Sequence, residues 1–217
     1  MKVKLTLSAN AGLCVEFGGK TVWIDALHEG SPLGFSGVDQ SLEERILEGG
    51  FAAPDAIAFT HRHKDHYSAE LLDLAQNRYP DARILPLDSA GTYDLEDVQI
   101  RFIPLIHAGD EYASFTHHGI VVSAHGKTVL VGGDCRVAEP SLAGLEPDVA
   151  VLTFPWLTLP RGRDFINRQL RPKHTVFYHV PFAADDLNAY RSLAQRAADR
   201  YGALILAQPL QTVTFEI

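Results

Sequence analysis

The segment "DAIAFTHRHKDHYS" (55–68) constrains this chain more than any other feature. A short apolar run that is typical of a buried strand is followed by three histidines and an aspartate within six residues. An ordinary turn at this point would use Gly, Asn, Asp or Ser. With ten histidines in 217 residues, the pattern arises by chance on the order of one time in a thousand. It therefore predicts a functional site at a strand end; the alternative is a polar turn with accidental histidines.

The spacing of these four side chains indicates what kind of site they form. In an extended segment, residues two apart point the same way, so His61 and His63 can converge on one point. Asp65 and His66 come where the chain turns into the next predicted helix, so they can aim at a second point nearby. Imidazole and carboxylate are ligands that borderline divalent metals prefer. The segment therefore predicts the local half of a two-metal site.

Further ligand-type residues follow three other predicted strands. His107 comes after "IRFIPLI", Asp134 after "KTVLVGG" and His179 after "HTVFY". Each stands where one edge of a sheet would present it. With the histidine-rich segment they make five histidines and two aspartates, which is enough for two metal centres.

These motifs carry a resemblance to a known family. "THRHKDHY" (60–67), "PLIH" (104–107), "GGD" (132–134) and "YH" (178–179) stand in the order and spacing of the metallo-β-lactamase superfamily of metal-dependent hydrolases, which the sequence resembles over nearly its whole length. It looks closest to the short branch that includes L-ascorbate-6-phosphate lactonase-like proteins. The resemblance implies an α/β fold, a four-layer αββα sandwich of two mixed β-sheets flanked by helices. It also implies one domain over 1–217, with the site at one edge of both sheets.

The resemblance further implies two divalent ions, with Zn²⁺ as the leading choice and Mn or Fe as alternatives. One ion would be held by His61, His63 and His107. The other would be held by Asp65, His66 and His179, with Asp134 as a bridge between the two. Asp65 and Asp134 are the candidate catalytic carboxylates. Cys135 departs from the family, where Thr or Ser more often follows the aspartate, and this leaves the metal preference open.

Four more residues are candidates for contacts with the substrate or with the ligands. Asp25 ends an early strand and could accept a hydrogen bond from a ligand imidazole, or simply cap its strand. His118 is preferred to its neighbour because adjacent strand residues face opposite sides; its alternative role is in the core or at the rim. His28 lies in a Gly- and Pro-rich loop expected to overhang the site, and Tyr67 could line the pocket or serve only in packing.

Composition excludes several classes of protein. The formal charge is −8 with no block of like charges, which argues against a nucleic-acid binder. The N-terminus alternates like a strand and is not expected to be a signal peptide, and no apolar run reaches the length of a membrane span. Two cysteines in a large core fit a reducing compartment. A cytoplasmic protein with no nucleic-acid or membrane partner is expected; the oligomeric state stays open.

The favoured function is hydrolysis of a small-molecule lactone, ester or phosphorylated metabolite by a metal-bound hydroxide, because a metal lowers the pKa of its bound water to about 7. The alternative is a non-hydrolytic metal-binding sensor or an iron-dependent redox protein on the same fold. The loops "HEGSPLGFSG" (28–37) and "FPWLTLPRGRDF" (154–165) are expected to roof the pocket.

Overall fold

The computed structural model, which describes all 217 residues, consists of two β-sheets packed face to face. Sheet 1 has six strands and sheet 2 has seven. The strands are β1 Lys2–Leu7, β2 Leu13–Phe17, β3 Lys20–Ile24, β4 Ala56–Ala58, β5 Arg83–Ile84, β6 Gly91–Leu95, β7 Val98–Pro104, β8 His118–Ala124, β9 Lys127–Val131, β10 Val149–Thr153, β11 His174–Tyr178, β12 Leu204–Ile205 and β13 Thr212–Glu216.

Five α-helices lie outside the sheets. They are α1 Gln40–Arg45, α2 Ala69–Arg78, α3 Pro155–Thr158, α4 Pro160–Phe165 and α5 Tyr190–Tyr201. Two helices have side-chain N-caps, since Asp39 accepts a hydrogen bond from the first turn of α1 and Ser68 accepts one from the first turn of α2. No helix is both long and apolar enough to cross a membrane.

The strand order explains why loops from distant parts of the sequence meet. Sheet 1 runs β13-β1-β2-β3-β4-β5 and sheet 2 runs β12-β11-β10-β9-β8-β7-β6. β3 and β4 are parallel to each other, as are β9, β10 and β11. The carboxyl ends of parallel neighbours lie at the same sheet edge, so the loops that follow them are close. At the far side of sheet 1, β13 pairs antiparallel with β1, from Lys2 opposite Glu216 to Thr6 opposite Thr212.

Three apolar clusters hold the layers together. Between the sheets, 25 buried side chains interdigitate, among them Leu5 of sheet 1 and Val151 of sheet 2. Trp23 packs beneath α1 and α2 in the second cluster, and Trp156 packs with the outer face of sheet 2 in the third. The predicted four-layer αββα architecture is therefore confirmed.

One local prediction is wrong, because the segment 154–165 is α3 and α4 rather than a loop. Pro155 and Pro160 stand at helix N-termini, where a missing N–H costs nothing. The Arg163 guanidinium donates to the Leu157 and Thr158 carbonyls and lies 4.2 Å from the centre of the Tyr201 ring. This segment thus packs against the outside of sheet 2 and does not roof the predicted site.

Candidate metal centre

Four loops at the carboxyl ends of strands bring the predicted ligands into two groups. The loop after β4 supplies the histidine-rich segment, while His107, Asp134 and His179 follow β7, β9 and β11. The ligand atoms of each group lie within 4.8 Å of one another. The first group is His61, His63 and His107, and the second is Asp65, His66, Asp134 and His179. This is the same partition that the resemblance implied.

The first group consists of three imidazole side chains whose ligand atoms converge. The Nε2 atoms of His61 and His107 are 3.2 Å apart, and the His63 ring lies 4.6 and 4.7 Å from the rings of His61 and His107. Zn–N bonds of about 2.0–2.1 Å in a tetrahedron would separate two nitrogens by roughly 3.3–3.4 Å. Burial, together with the charge of His66, holds the pKa of His61 well below its ordinary value, so this imidazole is neutral and able to ligate. His63 is only half-buried and marks the open side.

The second group is centred on Asp134. Its Oδ2 lies 3.3 Å from His66 Nε2 and 3.8 Å from His107 Nε2, while its Oδ1 lies 3.2 Å from His179 Nε2. The Asp65 carboxylate is 3.7 Å from His179 Nε2. Since His107 belongs to the first group, the Asp134 carboxylate lies between the two groups, as a bridging ligand would.

Asp25 is the buried acceptor that fixes His66. Its carboxylate accepts hydrogen bonds from Thr60 N (2.6 Å), from Thr60 Oγ1 (2.6 Å) and from His66 Nδ1 (2.8 Å). A proton held on Nδ1 leaves Nε2 free to face the centre, and metal-ligating histidines usually have such a partner. Of the two roles that its position at a strand end allowed, the geometry is that of a hydrogen-bond acceptor for an imidazole.

Two residues of the centre have a strained backbone conformation, as do eight other non-glycine residues of the chain. Asp25 has φ +50° and His179 has φ +63°, in the left-handed region that side chains with a Cβ rarely adopt. Such conformations cost of order 1–3 kcal/mol each and cluster at functional sites. The surrounding contacts, including the hydrogen bond from His179 N to the Asn10 carbonyl, hold the strained residues in place.

The charges at the centre are strongly coupled. Burial opposes the charge on His66, but Asp134 and Asp25 raise its pKa well above the ordinary value. Burial likewise opposes ionisation of Asp134, but His179 and His66 hold its pKa well below the usual range. The Asp134 carboxylate is therefore ionised although it is buried, and in the metal-free protein a proton on His66 supplies the counter-charge that a metal cation would replace.

His117, not His118, faces the ligands. The His117 ring lies 5.0 Å from that of His61 and 5.4 Å from that of His107. It is 2% exposed, and both of its ring nitrogens lack a hydrogen-bond partner. His118 instead lies beside Phe102, with 5.8 Å between ring centres. The preference for His118 is wrong, because β8 begins at His118 and the preceding residue leaves the alternation of the strand.

His28 and Tyr67 do not line the site either. His28 is fully buried, and its two ring nitrogens face the carbonyl oxygens of Ala9 and Glu29 at 2.9 and 2.8 Å. It fastens the start of the loop rather than overhanging the centre. Tyr67 packs edge-on against Phe59 at 4.9 Å in the core beneath α2. Both side chains therefore have a packing role.

Three aromatic side chains that the sequence reasoning missed border the ligands. Tyr112 and Phe115 lie 5.0 and 4.9 Å from the His63 ring, on the loop that follows His107. Phe35, from the predicted overhanging loop, lies 4.4 Å from the His179 ring. Tyr112 and Phe115 could have been predicted from the sequence, because both follow the predicted ligand His107 within eight residues.

The donor set fits two divalent cations of the zinc class. Seven nitrogen and oxygen donors converge from four loops, and the pairs of Nε2 atoms at 3.1 and 3.2 Å have the spacing of ligands that share an ion. The Asn10 amide, 3.3 Å from His179 Nε2, is an additional neighbour of the second group.

Comparisons with known proteins find similarity to metal-dependent hydrolases. No family model matches the sequence. Two curated relatives are UPF0173 metal-dependent hydrolases. The one from Pyrobaculum arsenaticum is 25% identical, covering 78% of this chain and 80% of the relative. The one from Anoxybacillus flavithermus is 23% identical, covering 82% of this chain and 85% of the relative.

Solved structures share the whole architecture. The metallo-β-lactamase fold protein YhfI from Bacillus subtilis matches with a TM-score of 0.65 at 10% identity, over 99% of this chain and 100% of the other. Igni18, a metallo hydrolase from Ignicoccus hospitalis, matches with a TM-score of 0.63 at 20% identity, over 100% of both chains. The diiron β-hydroxylase CmlA from Streptomyces venezuelae matches with a TM-score of 0.56 at 14% identity, over 99% of this chain and 54% of the other.

Proposed function

We propose that this chain, which has the metallo-β-lactamase fold, is a dinuclear metal-dependent hydrolase of a small-molecule lactone, ester or phosphorylated metabolite. The observation that carries the proposal is the arrangement of seven donors in two groups, with the Asp134 carboxylate between them. The similarity to two curated metal-dependent hydrolases supports the same reaction type. Zn²⁺ is the proposed metal because the donors are imidazole and carboxylate.

When bound, two such cations lower the pKa of a water molecule from about 15.7 to about 7 and polarise a carbonyl or phosphoryl oxygen of the substrate. The residues of the chain supply position and charge. His61 is held neutral by burial, Asp25 fixes the His66 tautomer, and Asp134 spans the two groups.

Hydrolysis of an ester consumes one water molecule, breaks the C–O bond and transfers a proton to the leaving alcohol. Asp65 is the proposed proton carrier, because its carboxylate belongs to the second group and lies 3.7 Å from His179 Nε2. A carboxylate within hydrogen-bonding reach of the reacting atoms is a common acid–base group.

An iron-dependent redox protein is the second candidate function, favoured by the fold similarity to the diiron enzyme CmlA. At 14% identity that similarity extends to the fold alone. The two functions differ in metal and co-substrate, so metal content separates them.

The proposed cellular setting is the cytoplasm, because both cysteines, Cys14 and Cys135, are buried free thiols. Small molecules rather than nucleic acids are the proposed partners, since the net charge of −8 repels polyanions.

The experiment combines metal analysis with a substrate panel. We expect two zinc ions per chain and turnover of at least one lactone, ester or phosphoester that is abolished by chelation and restored by Zn²⁺. Stoichiometric iron with oxygen uptake and no hydrolysis would establish the redox function instead. Bound metal without any turnover would favour the metal-sensor alternative.

A further inference from the structure

Two aromatic rings form a wall beside the first group of ligands. Tyr112 lies 5.0 Å from the His63 ring and 5.3 Å from the His107 ring, and Phe115 lies 4.9 Å from the His63 ring. The two rings contact each other with 5.8 Å between their centres. Phe115 is nevertheless 48% exposed, so one side of the wall faces solvent at the open side of the centre. An exposed aromatic surface next to a reactive centre is a favourable place for an apolar group.

The side chains around the centre offer no unpaired positive charge to an anion. Every Lys or Arg within two residues of a predicted ligand already has a carboxylate partner: the ion pairs are Arg62–Asp88 at 2.6 Å, Lys64–Glu29 at 3.1 Å and Arg136–Glu139 at 2.8 Å. The loop that carries the aromatic wall adds two exposed acidic residues, Asp110 and Glu111. A phosphorylated substrate would therefore meet these two carboxylates and no unpaired cationic side chain from these segments, so the metal ions alone would have to hold its phosphate.

We infer that the substrate is a small uncharged ester or lactone whose apolar acyl group packs on Tyr112 and Phe115. This inference rests on the proposed hydrolase function and narrows it, because it excludes the phosphorylated metabolites. The wall is in contact with His63, so an acyl group that covers it leaves its carbonyl beside the ligand groups. Tyr112 and Phe115 are thus specificity-determining residues.

The test is a chain-length series on the zinc-loaded protein. p-Nitrophenyl acetate, butyrate and hexanoate are compared with p-nitrophenyl phosphate. A methylene that is fully buried gains about fourfold, so each methylene that covers a single wall is expected to gain roughly twofold in kcat/KM; the four added methylenes from acetate to hexanoate then gain about 16-fold. Phe115→Ala and Tyr112→Ala should each flatten this dependence, mainly through KM, and should slow hydrolysis of the hexanoate more than that of the acetate. Leu193→Ala, which removes an apolar side chain of similar exposure (40%) on α5, is the matched control and should keep the full dependence.

Each outcome bears on the inference. An ester series with no length dependence, or a dependence that survives in Phe115→Ala and Tyr112→Ala, overturns it while leaving the hydrolase function intact. Faster turnover of the phosphate ester than of every carboxylic ester overturns it as well. If no compound is hydrolysed, the proposed function fails, and the binding of hexanamide, measured by calorimetry, then tests the aromatic wall alone. Binding that is lost in Phe115→Ala supports the wall as a site for an apolar group. Absence of binding to the wild-type protein refutes it.

Discussion

Asp25→Asn tests whether the buried carboxylate positions a metal ligand. In the wild-type protein, Asp25 Oδ2 accepts from His66 Nδ1 at 2.8 Å, and Oδ1 accepts from Thr60 N at 2.6 Å. In the variant, the amide oxygen must stay opposite Thr60 N, because an amide NH2 there would face another donor. The NH2 group then faces His66 Nδ1, which becomes an acceptor. The imidazole proton moves to Nε2, the atom that faces Asp134 and His179.

The expected magnitude follows from that switch. Loss of the partner of a ligating histidine typically lowers metal affinity 10–100-fold, which corresponds to about 1.4–2.7 kcal/mol. The metal-free protein also loses a hydrogen bond between charged groups, so its free energy of unfolding should fall by about 1.5–3 kcal/mol. The assay is zinc competition against a fluorescent chelator, combined with urea unfolding of the metal-free protein.

Asp148→Asn is the matched control. Asp148 is also buried, and it accepts from Thr128 N at 2.9 Å and pairs with Lys173 at 2.7 Å. It stands directly before β10, at the end of the strand opposite the metal centre. We expect this control to lower stability and leave zinc affinity unchanged. Wild-type zinc affinity in Asp25→Asn, or equal losses of affinity in both variants, would refute the positioning role.

Three further predictions concern the same centre. Asp134→Ala should abolish turnover, because the two cations lose the carboxylate that they share. The circular dichroism spectrum should stay that of the wild-type protein, because β9 still packs. Retention of most turnover would show that Asp134 is not a bridge. Burial lowers the pKa of His117 from 6.5 to about 3. Between these two pH values the imidazole is protonated in the unfolded chain but neutral in the folded protein. The free energy of unfolding should therefore fall as the pH falls from 6.5 towards 3, by up to about 1.4 kcal/mol per pH unit. His117→Leu should flatten that slope in urea unfolding of the metal-free protein, and an unchanged slope would contradict a neutral buried imidazole. Gly133→Ala should destabilise the protein by roughly 1–3 kcal/mol in thermal unfolding. Gly133 has φ +56°, and a Cβ atom added there would lie 2.7 Å from His117 Nε2. A melting temperature equal to that of the wild-type protein would mean that the loop relaxes freely.

The ligand residues could be predicted because they depend on local patterns, whereas the four-layer fold and the division of the ligands into two groups were implied by the resemblance of these motifs to a known family. Apolar strands that end in His or Asp place those side chains at a sheet edge, whatever the details of packing. The strand end at Asp25 and its role as an acceptor could be anticipated on the same basis.

The orientation of single side chains could not be predicted, because it depends on tertiary contacts. Alternation distinguishes His117 from His118 only inside a strand, and β8 begins at the second of them. His28 was predicted to contact a substrate, but the carbonyl oxygens of Ala9 and Glu29 occupy both of its ring nitrogens, and the sequence does not reveal these contacts. The prolines of the segment 154–165 favoured the prediction of a loop. In the structure Trp156 and Phe165 are buried, and the prolines lie in the first turns of two short helices.

The pairing of β13 with β1 has a consequence for the way the chain is made. β1 (Lys2–Leu7) leaves the ribosome early, whereas its outer neighbour (Thr212–Glu216) is synthesised about 200 residues later, roughly 10–40 s at ordinary rates of translation. During that interval the outer edge of β1 offers unpaired N–H and C=O groups to any other extended chain. His179, on which the second ligand group depends, also arrives late. The nascent protein therefore gains the outermost strand of sheet 1 and its complete metal centre only after β13 and His179 have been synthesised, and the interval before that is when chaperones would matter most.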